Sequence, residues 1–337
     1  LNRHPADEGL SAPLREAIAA QLDAGGQALI YLNRRGFAPA MICTGCGAIE
    51  HCRRCDARLT FHASRQALEC HHCGQGRPLS RQCSTCGKAV TPLGEGTERI
   101  EDVLKRYFPG EPLVRIDSDT TRGRNRFEAA FDEAVSGRAR LLVGTQMLSK
   151  GHHFPELGLV GVLNADQGLF GSDFRAAERL AQSLIQVAGR AGRAERPGQV
   201  LIQTAFAQHP LLKTLVEEGY RGFAERALNE RGATGWPPFS NLALLRAAAT
   251  DRAAVWRYLN DVAGELRRLA GADCDVFGPV AALMERRAGR YRAQLLIRAA
   301  NRRALRAVLA PLRPGLDEHP GARRVRWSLD IDPVDLF

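Results

Sequence analysis

Eight of the nine cysteines fall between positions 43 and 86 as four C-x-x-C pairs: Cys43/Cys46, Cys52/Cys55, Cys70/Cys73 and Cys83/Cys86. That spacing lets one tight turn aim two sulfurs at a single tetrahedral metal. Three pairs are followed at once by glycine (Gly47, Gly74, Gly87), which can take a positive φ and let backbone N–H groups approach the thiolates. A disulfide framework suits small secreted chains, and a redox C-x-x-C comes once, not four times. Two structural zinc ions are therefore expected. In a nested arrangement Cys43, Cys46, Cys83 and Cys86 hold one ion, and Cys52, Cys55, Cys70 and Cys73 the other. The hairpin-sized insert between Cys55 and Cys70 favours it. A cross-braced arrangement, first pair with third and second with fourth, stays open. His51, His71 and His72 lie beside ligands and are read as bystanders, and Cys274 as a small buried residue. Residues 41–92 hold few aliphatic side chains, so metal must substitute for a core there.

A chain of 337 residues has room for two or three domains, and its 45% hydrophobic and 25% charged composition suits a globular protein with real cores. No apolar run approaches the ~18–20 residues of a membrane span, so no membrane role and a cytoplasmic location are expected. The first residue is Leu1, which points to a fragment of a longer protein. A formal charge of +10 permits a polyanionic partner, but each four-thiolate zinc site adds a net −2, leaving about +6. Charge alone does not show nucleic-acid binding.

Around the cysteine block, helical and buried-strand patterns alternate. Strands are expected at Gln27–Asn33, Pro112–Ile116, Arg140–Val143, Leu157–Leu163 and Gln199–Gln203, with helices at Ala17–Asp23, Ile100–Phe108, Phe127–Val135 and Asp173–Val187. Strands interleaved with helices argue for a parallel sheet covered on both faces, with function at the carboxyl ends of its strands. One such end carries Gly144-Thr-Gln-Met-Leu-Ser-Lys-Gly-His-His-Phe-Pro155, which clusters Thr145, Gln146, Lys150, Gly151 and His152 where a strand opens into a loop. Another carries Asn164-Ala-Asp166. Gln186, Arg190 and Arg193 of QVAGRAGR stand at i, i+4 and i+7, so on a helix they share one face. No G-x-x-x-x-G-K-[ST] occurs in the chain, and Asp132-Glu-Ala-Val135 continues a helix instead of ending a buried strand. The sheet thus reads as half of an ATP site, the other half being expected on sequence before Leu1.

The arginine pair after a glutamine, downstream of a strand-end GT loop, resembles the last motifs of superfamily 2 helicases. There such arginines reach across a cleft to a γ-phosphate. With the cysteine block, LNRRGFAPAMICTGCG, GTERIEDVLKRYFP, VGTQMLSKGHHFP, DFRAAER and QVAGRAGRAE resemble, in order, the C-terminal portion of the PriA family of bacterial replication-restart helicases. The resemblance covers nearly the whole chain and favours the nested zinc arrangement. It implies an α/β, RecA-like helicase lobe (1–40 and 93–235) with an inserted two-zinc ribbon (41–92), then a small α+β domain (236–337). It implies 3′→5′ DNA unwinding driven by ATP and magnesium, with Arg190 and Arg193 sensing the γ-phosphate and Gln186 orienting the site. Gly144, Thr145, Gln146, Lys150, Gly151, His152 and Asp166 would couple the nucleotide to the DNA backbone. Asn164 stands where the family commonly has aspartate, leaving any acidic role at that loop to Asp166. The implied partners are forked and single-stranded DNA, the acidic tail of single-stranded-DNA-binding protein and other primosome proteins, met by a monomer.

Past Gly235-Trp-Pro-Pro-Phe239 the chain has seventeen arginines, eleven acidic residues and no lysine. Its densest basic run is Arg286-Arg-Ala-Gly-Arg-Tyr-Arg292, readable as a solvated loop or as a surface for phosphates or an acidic peptide. By resemblance, Arg290 and Gln294 are expected to hold the acidic tail. A rival of another class is a non-catalytic zinc-ribbon module that binds DNA or protein. The two readings agree that this chain alone hydrolyses no ATP.

Overall fold

The computed structural model describes residues 6–33, 40–43, 45–62, 67–70, 73–93, 97–117, 124–145, 154–169, 173–193 and 196–336. They form two compact units, 1–39 with 92–225 and 40–91 with 226–337, the division falling inside one helix. The cysteine block is thus inserted in the sequence of the first unit but packs within the second.

The first unit is built on five parallel strands: β1 (Gln27–Leu32), β2 (Leu113–Ile116), β3 (Leu141–Gly144), β4 (Leu157–Leu163) and β5 (Gln199–Ile202), in the order β5-β4-β1-β3-β2. Every residue of β1 is buried, as expected for the central strand of a sheet covered on both faces. Helices α1 (Ala12–Asp23) and α2 (Thr97–Tyr107) cover one face, where Leu14, Ile18, Ile100 and Leu104 pack on Ala28, Ile30 and Val143. Helices α3 (Arg124–Val135) and α4 (Ala176–Ala188) lie between later strands, as the alternating pattern predicts. Two helices not read from the sequence, α5 (Pro210–Glu217) and α6 (Gly219–Thr234), follow the sheet.

In the second unit, a four-stranded antiparallel sheet runs β7-β8-β6-β9, with β6 Asn241–Ala249, β7 Cys274–Arg287, β8 Arg290–Ala299 and β9 Arg326–Ile331. Helices α7 (Arg252–Leu269) and α8 (Arg302–Glu318) share one core with it, including Tyr258, Leu259, Leu295, Ile297 and Leu312. Asp251 and Asn301 cap those helices through side-chain acceptors for the Ala253 and Ala304 amides. The long β7–β8 hairpin was not legible as such, because Gly278-Pro279 and two register shifts interrupt its alternation. Among the described residues no helix is long and apolar enough to cross a membrane.

One buried polar clamp positions the strand ends. The Gln27 side chain, 1% exposed, donates to the Ala134 and Ala139 carbonyls at 2.8 and 2.6 Å, tying the segment between α3 and β3 to the start of β1. Gln27→Ala removes the buried donor that two carbonyls share, leaving Ala134 only the long bond from the Gly137 amide at 3.4 Å, and is expected to cost about 1–3 kcal/mol of stability in urea unfolding followed by circular dichroism. A loss below about 0.5 kcal/mol, the level of an ordinary surface change, would contradict the clamp.

Candidate metal centres and the strand-end edge

The eight paired cysteines gather into two groups: Cys43, Cys46, Cys83 and Cys86, and Cys52, Cys55, Cys70 and Cys73, with all ligand atoms of a group within 4.8 Å of one another. This is the nested arrangement. Between pairs, Sγ atoms stand 3.4 Å apart for Cys43 and Cys86, 3.7 Å for Cys46 and Cys83, and 3.8 Å for Cys52 and Cys73. A disulfide needs about 2.05 Å. Four sulfurs at ~2.3 Å from a tetrahedral Zn²⁺ lie about 3.8 Å from each other, so both groups fit that ion.

Local sequence explains the fit. In each knuckle the first cysteine's amide donates to the carbonyl five residues on: Cys43 to Ala48, Cys52 to Ala57, Cys70 to Gln75 and Cys83 to Lys88, at 2.8–2.9 Å. Gly47, Gly74 and Gly87 take φ of 71°, 72° and 72°, turning the chain back over the sulfurs as expected. Amides of Gly45, Arg54 and Thr85 then point at the sulfurs of Cys43, Cys52 and Cys83 at 3.3–3.4 Å.

These donors tune the thiols. Amides of Cys46 and Gly45 pull Cys43 down to about 6, and those of Thr85 and Cys86 lower Cys83. The Gln75 amide lowers Cys73. Burial pushes Cys55 up to about 12. Cys86, despite the Lys88 amide, is pushed up to about 12 by the sulfurs of Cys43 and Cys46. Each cluster therefore holds at least one thiol lowered by amide donors and one raised, and a divalent cation would stand in for their protons. The inner cluster sits in a small core with Met41, Leu59, Phe61 and Leu68, on which Met284 also packs.

In the first unit, all five strands point the same way, so their carboxyl ends share one edge. Gly144 ends β3 opposite Tyr31 and Ile116, and Thr145 beside it is 8% exposed. Asp117, just past β2, is buried, accepts the Thr97 hydroxyl at 2.5 Å and lies 3.3 Å from Arg115 Nε. Asp166 follows β4, accepts the Thr204 hydroxyl and takes the Ala205 amide at 3.0 Å, so it braces the segment after β5. Gln146, Lys150, Gly151 and His152 lie outside the described residues.

The shared helical face of Gln186, Arg190 and Arg193 needs correction. α4 ends at Ala188 with Gly189 as its cap, Arg190 continues as a turn through its amide to the Val187 carbonyl at 3.0 Å, and Gly192 takes φ 81°. Gly192–Arg193 then forms a short strand paired with Arg196–Pro197. The helix therefore ends before either arginine, and the Arg193 backbone belongs to an extended segment. Gln186 is exposed on α4 and Arg190 half-buried.

Gln294 is 7% exposed and its amide donates to the Leu336 carbonyl at 2.9 Å, while Arg290 opens β8 opposite Arg287. The basic run is no free loop: Arg286, Ala288 and Gly289 hydrogen-bond the knuckle at Arg54–Asp56. These contacts were missed. One signal for them existed, the knuckle that carries Asp56 where the other three carry glycine.

The chain thus joins a parallel α/β lobe, whose sequence is interrupted by a cysteine-rich block with two candidate metal sites, to an antiparallel α+β domain. Three family models match in series: the helicase conserved C-terminal domain over residues 86–195, the PriA DNA helicase Cys-rich region over 52–78, and the primosomal protein N C-terminal domain over 232–334. Among curated relatives, a replication restart protein PriA of Haemophilus influenzae is 42% identical over 97% of the chain and 45% of its own length. That of Bacillus subtilis is 34% identical over 97% of the chain and 41% of its own length. The chain belongs to the PriA family, as its C-terminal portion, and it spans less than half the length of these relatives.

The nested geometry makes a sharp expectation. Cys43→Ser combined with Cys83→Ser disables one cluster, so elemental analysis should fall from two zinc ions per chain to one. Cross-bracing would put those two cysteines in different sites and remove both ions.

Proposed function

We propose that the chain is the second motor lobe, zinc module and C-terminal domain of an ATP-driven 3′→5′ DNA helicase of replication restart. The presence of one helicase C-terminal match and two PriA-type matches along one chain, with both cysteine clusters formed, carries this reading. Each cluster holds one structural Zn²⁺. ATP and Mg²⁺ sit on a preceding lobe that supplies the phosphate-cradling loop. Arg190 and Arg193 reach the γ-phosphate, where guanidinium groups offset the charge of the transferring phosphoryl group. Gln186, exposed one turn before Arg190, orients the site. Gly144, Thr145, Gln146, Lys150, Gly151 and His152 relay nucleotide state to the DNA backbone, and Asp166 holds the neighbouring strand end in register. The substrate is forked DNA with a single-stranded arm, the setting is the bacterial cytoplasm, and the protein works as a monomer with other primosome proteins.

Arg290 offers a cation for the acidic tail of single-stranded-DNA-binding protein. Gln294 already gives one of its two amide protons to the Leu336 carbonyl.

In the full-length protein, Arg193→Ala should lower DNA-stimulated ATP turnover by about 10³-fold or more while fork binding in a gel-shift assay stays near the parent's. Retained turnover would remove the finger role. This chain by itself should hydrolyse no ATP, and turnover from it would contradict the division of the site between two lobes.

A further inference from the structure

The four cysteine knuckles are not equivalent. In three of them the residue after the second cysteine is a glycine in the left-handed region, whose N–H returns to the first cysteine's carbonyl: Gly47 to Cys43 at 3.1 Å, Gly74 to Cys70 at 2.8 Å and Gly87 to Cys83 at 2.9 Å. In two of these three, that turn also swings the following amide onto the second cysteine, Gln75 onto Cys73 and Lys88 onto Cys86. A glycine knuckle can therefore supply N–H groups to both of its own sulfurs.

The fourth knuckle, Cys52–Cys55, has Asp56 in the glycine position, and Asp56 does not adopt a positive φ. L-residues other than glycine disfavour that conformation. Its N–H donates instead to the Arg286 carbonyl at 2.8 Å, and its carboxylate accepts the Arg286 amide at 2.6 Å and lies 3.4 Å from the Arg286 guanidinium. The sulfur of Cys55 receives the Ala288 amide at 3.1 Å. Gly289 N–H donates to the Arg54 carbonyl at 2.7 Å, and the Arg54 side chain reaches back to the Ala288 carbonyl at 3.4 Å.

All of these groups sit at the tip of the β7–β8 hairpin, where Arg287 pairs with Arg290 across the two-residue turn Ala288-Gly289. Ala288 has φ 51° and Gly289 φ 79°. A two-residue turn with both residues at positive φ normally takes Asn-Gly or Gly-Gly. An alanine persists there when its surroundings hold it, and both turn amides are bonded to the knuckle.

We propose that the inner metal site is completed by the C-terminal domain: the hairpin tip Arg286–Gly289 supplies, through Ala288, the N–H···S bond that the Cys52–Cys55 knuckle cannot make for itself. Ala288 is a positioning residue for Cys55, and Asp56 is the latch that seats the tip. Metal retention at the inner cluster and docking of the hairpin are then one event. The outer cluster lacks this dependence and is the internal control. Partners around metal ligands typically alter metal affinity by about 10–100-fold, which sets the expected effect.

The direct test loads both sites of the chain with ¹¹³Cd and looks for magnetisation transfer across N–H···S bonds. A correlation should join the inner-site cadmium to the Ala288 amide proton, beside one from Arg54. An Arg54 correlation without the Ala288 one overturns the proposal. Zinc release to a chromophoric chelator gives the functional arm. Ala288→Pro deletes the N–H and should release one ion about 10–100-fold faster with the other unchanged. Ala288→Gly keeps the N–H and should release both at the parent rate. In an Asp56→Gly background, which restores the glycine of the other knuckles, Ala288→Pro should no longer accelerate release. Parent rates for Ala288→Pro in the native background contradict the proposal, and if that variant does not fold the cadmium correlation decides.

Discussion

The bond on which the second unit depends is the backbone N–H aimed at a cysteine sulfur. Eight thiols lie in a stretch poor in aliphatic side chains, and their negative charge is tolerable there only if amides and cations surround it. The chain arranges this by a repeated turn in which the first cysteine's own amide fixes the loop and a left-handed glycine aims the next ones. Where the glycine is missing, a hairpin from more than two hundred residues away supplies the donor. The bonds of that hairpin tip to Arg54–Asp56, with Met284 packed on the inner cluster, are among the contacts that group the cysteine block with the C-terminal domain.

In the first unit the equivalent constraint is parallel pairing. A central strand buried along its whole length forces helices onto both faces and brings every carboxyl end to one edge. Thr145, Asp117 and Asp166 therefore share an edge although they are distant in sequence. Asp117 and Asp166 are held there by hydroxyl and amide donors. Arg190 and Arg193 do not share the helical face that their spacing suggests, since the helix stops at Ala188, ahead of both.

Much of this was legible in residues alone. Period and length located all five lobe strands within a residue or two, and C-x-x-C spacing identified both cysteine clusters. The metal pairing was not decided by spacing, because nested and braced arrangements use the same turns, and only three-dimensional distances separate them. Helices α5 and α6 were passed over. The hairpin docking was hidden because it joins a basic run to a knuckle through backbone amides, which leave no side-chain pattern to read. The helix end at Gly189 was readable in principle, since a glycine in that place is a common stop, but the even spacing of Gln186, Arg190 and Arg193 pointed the other way.

The central claim is that this lobe contributes guanidinium groups to a triphosphate held elsewhere. The most direct measurement is a structure of the full-length protein with DNA and ADP–aluminium fluoride, a mimic of the phosphoryl group in flight. Nitrogens of Arg190 and Arg193 should then lie within about 3 Å of the fluoride ligands. A closed complex in which both side chains point away from the nucleotide would contradict it.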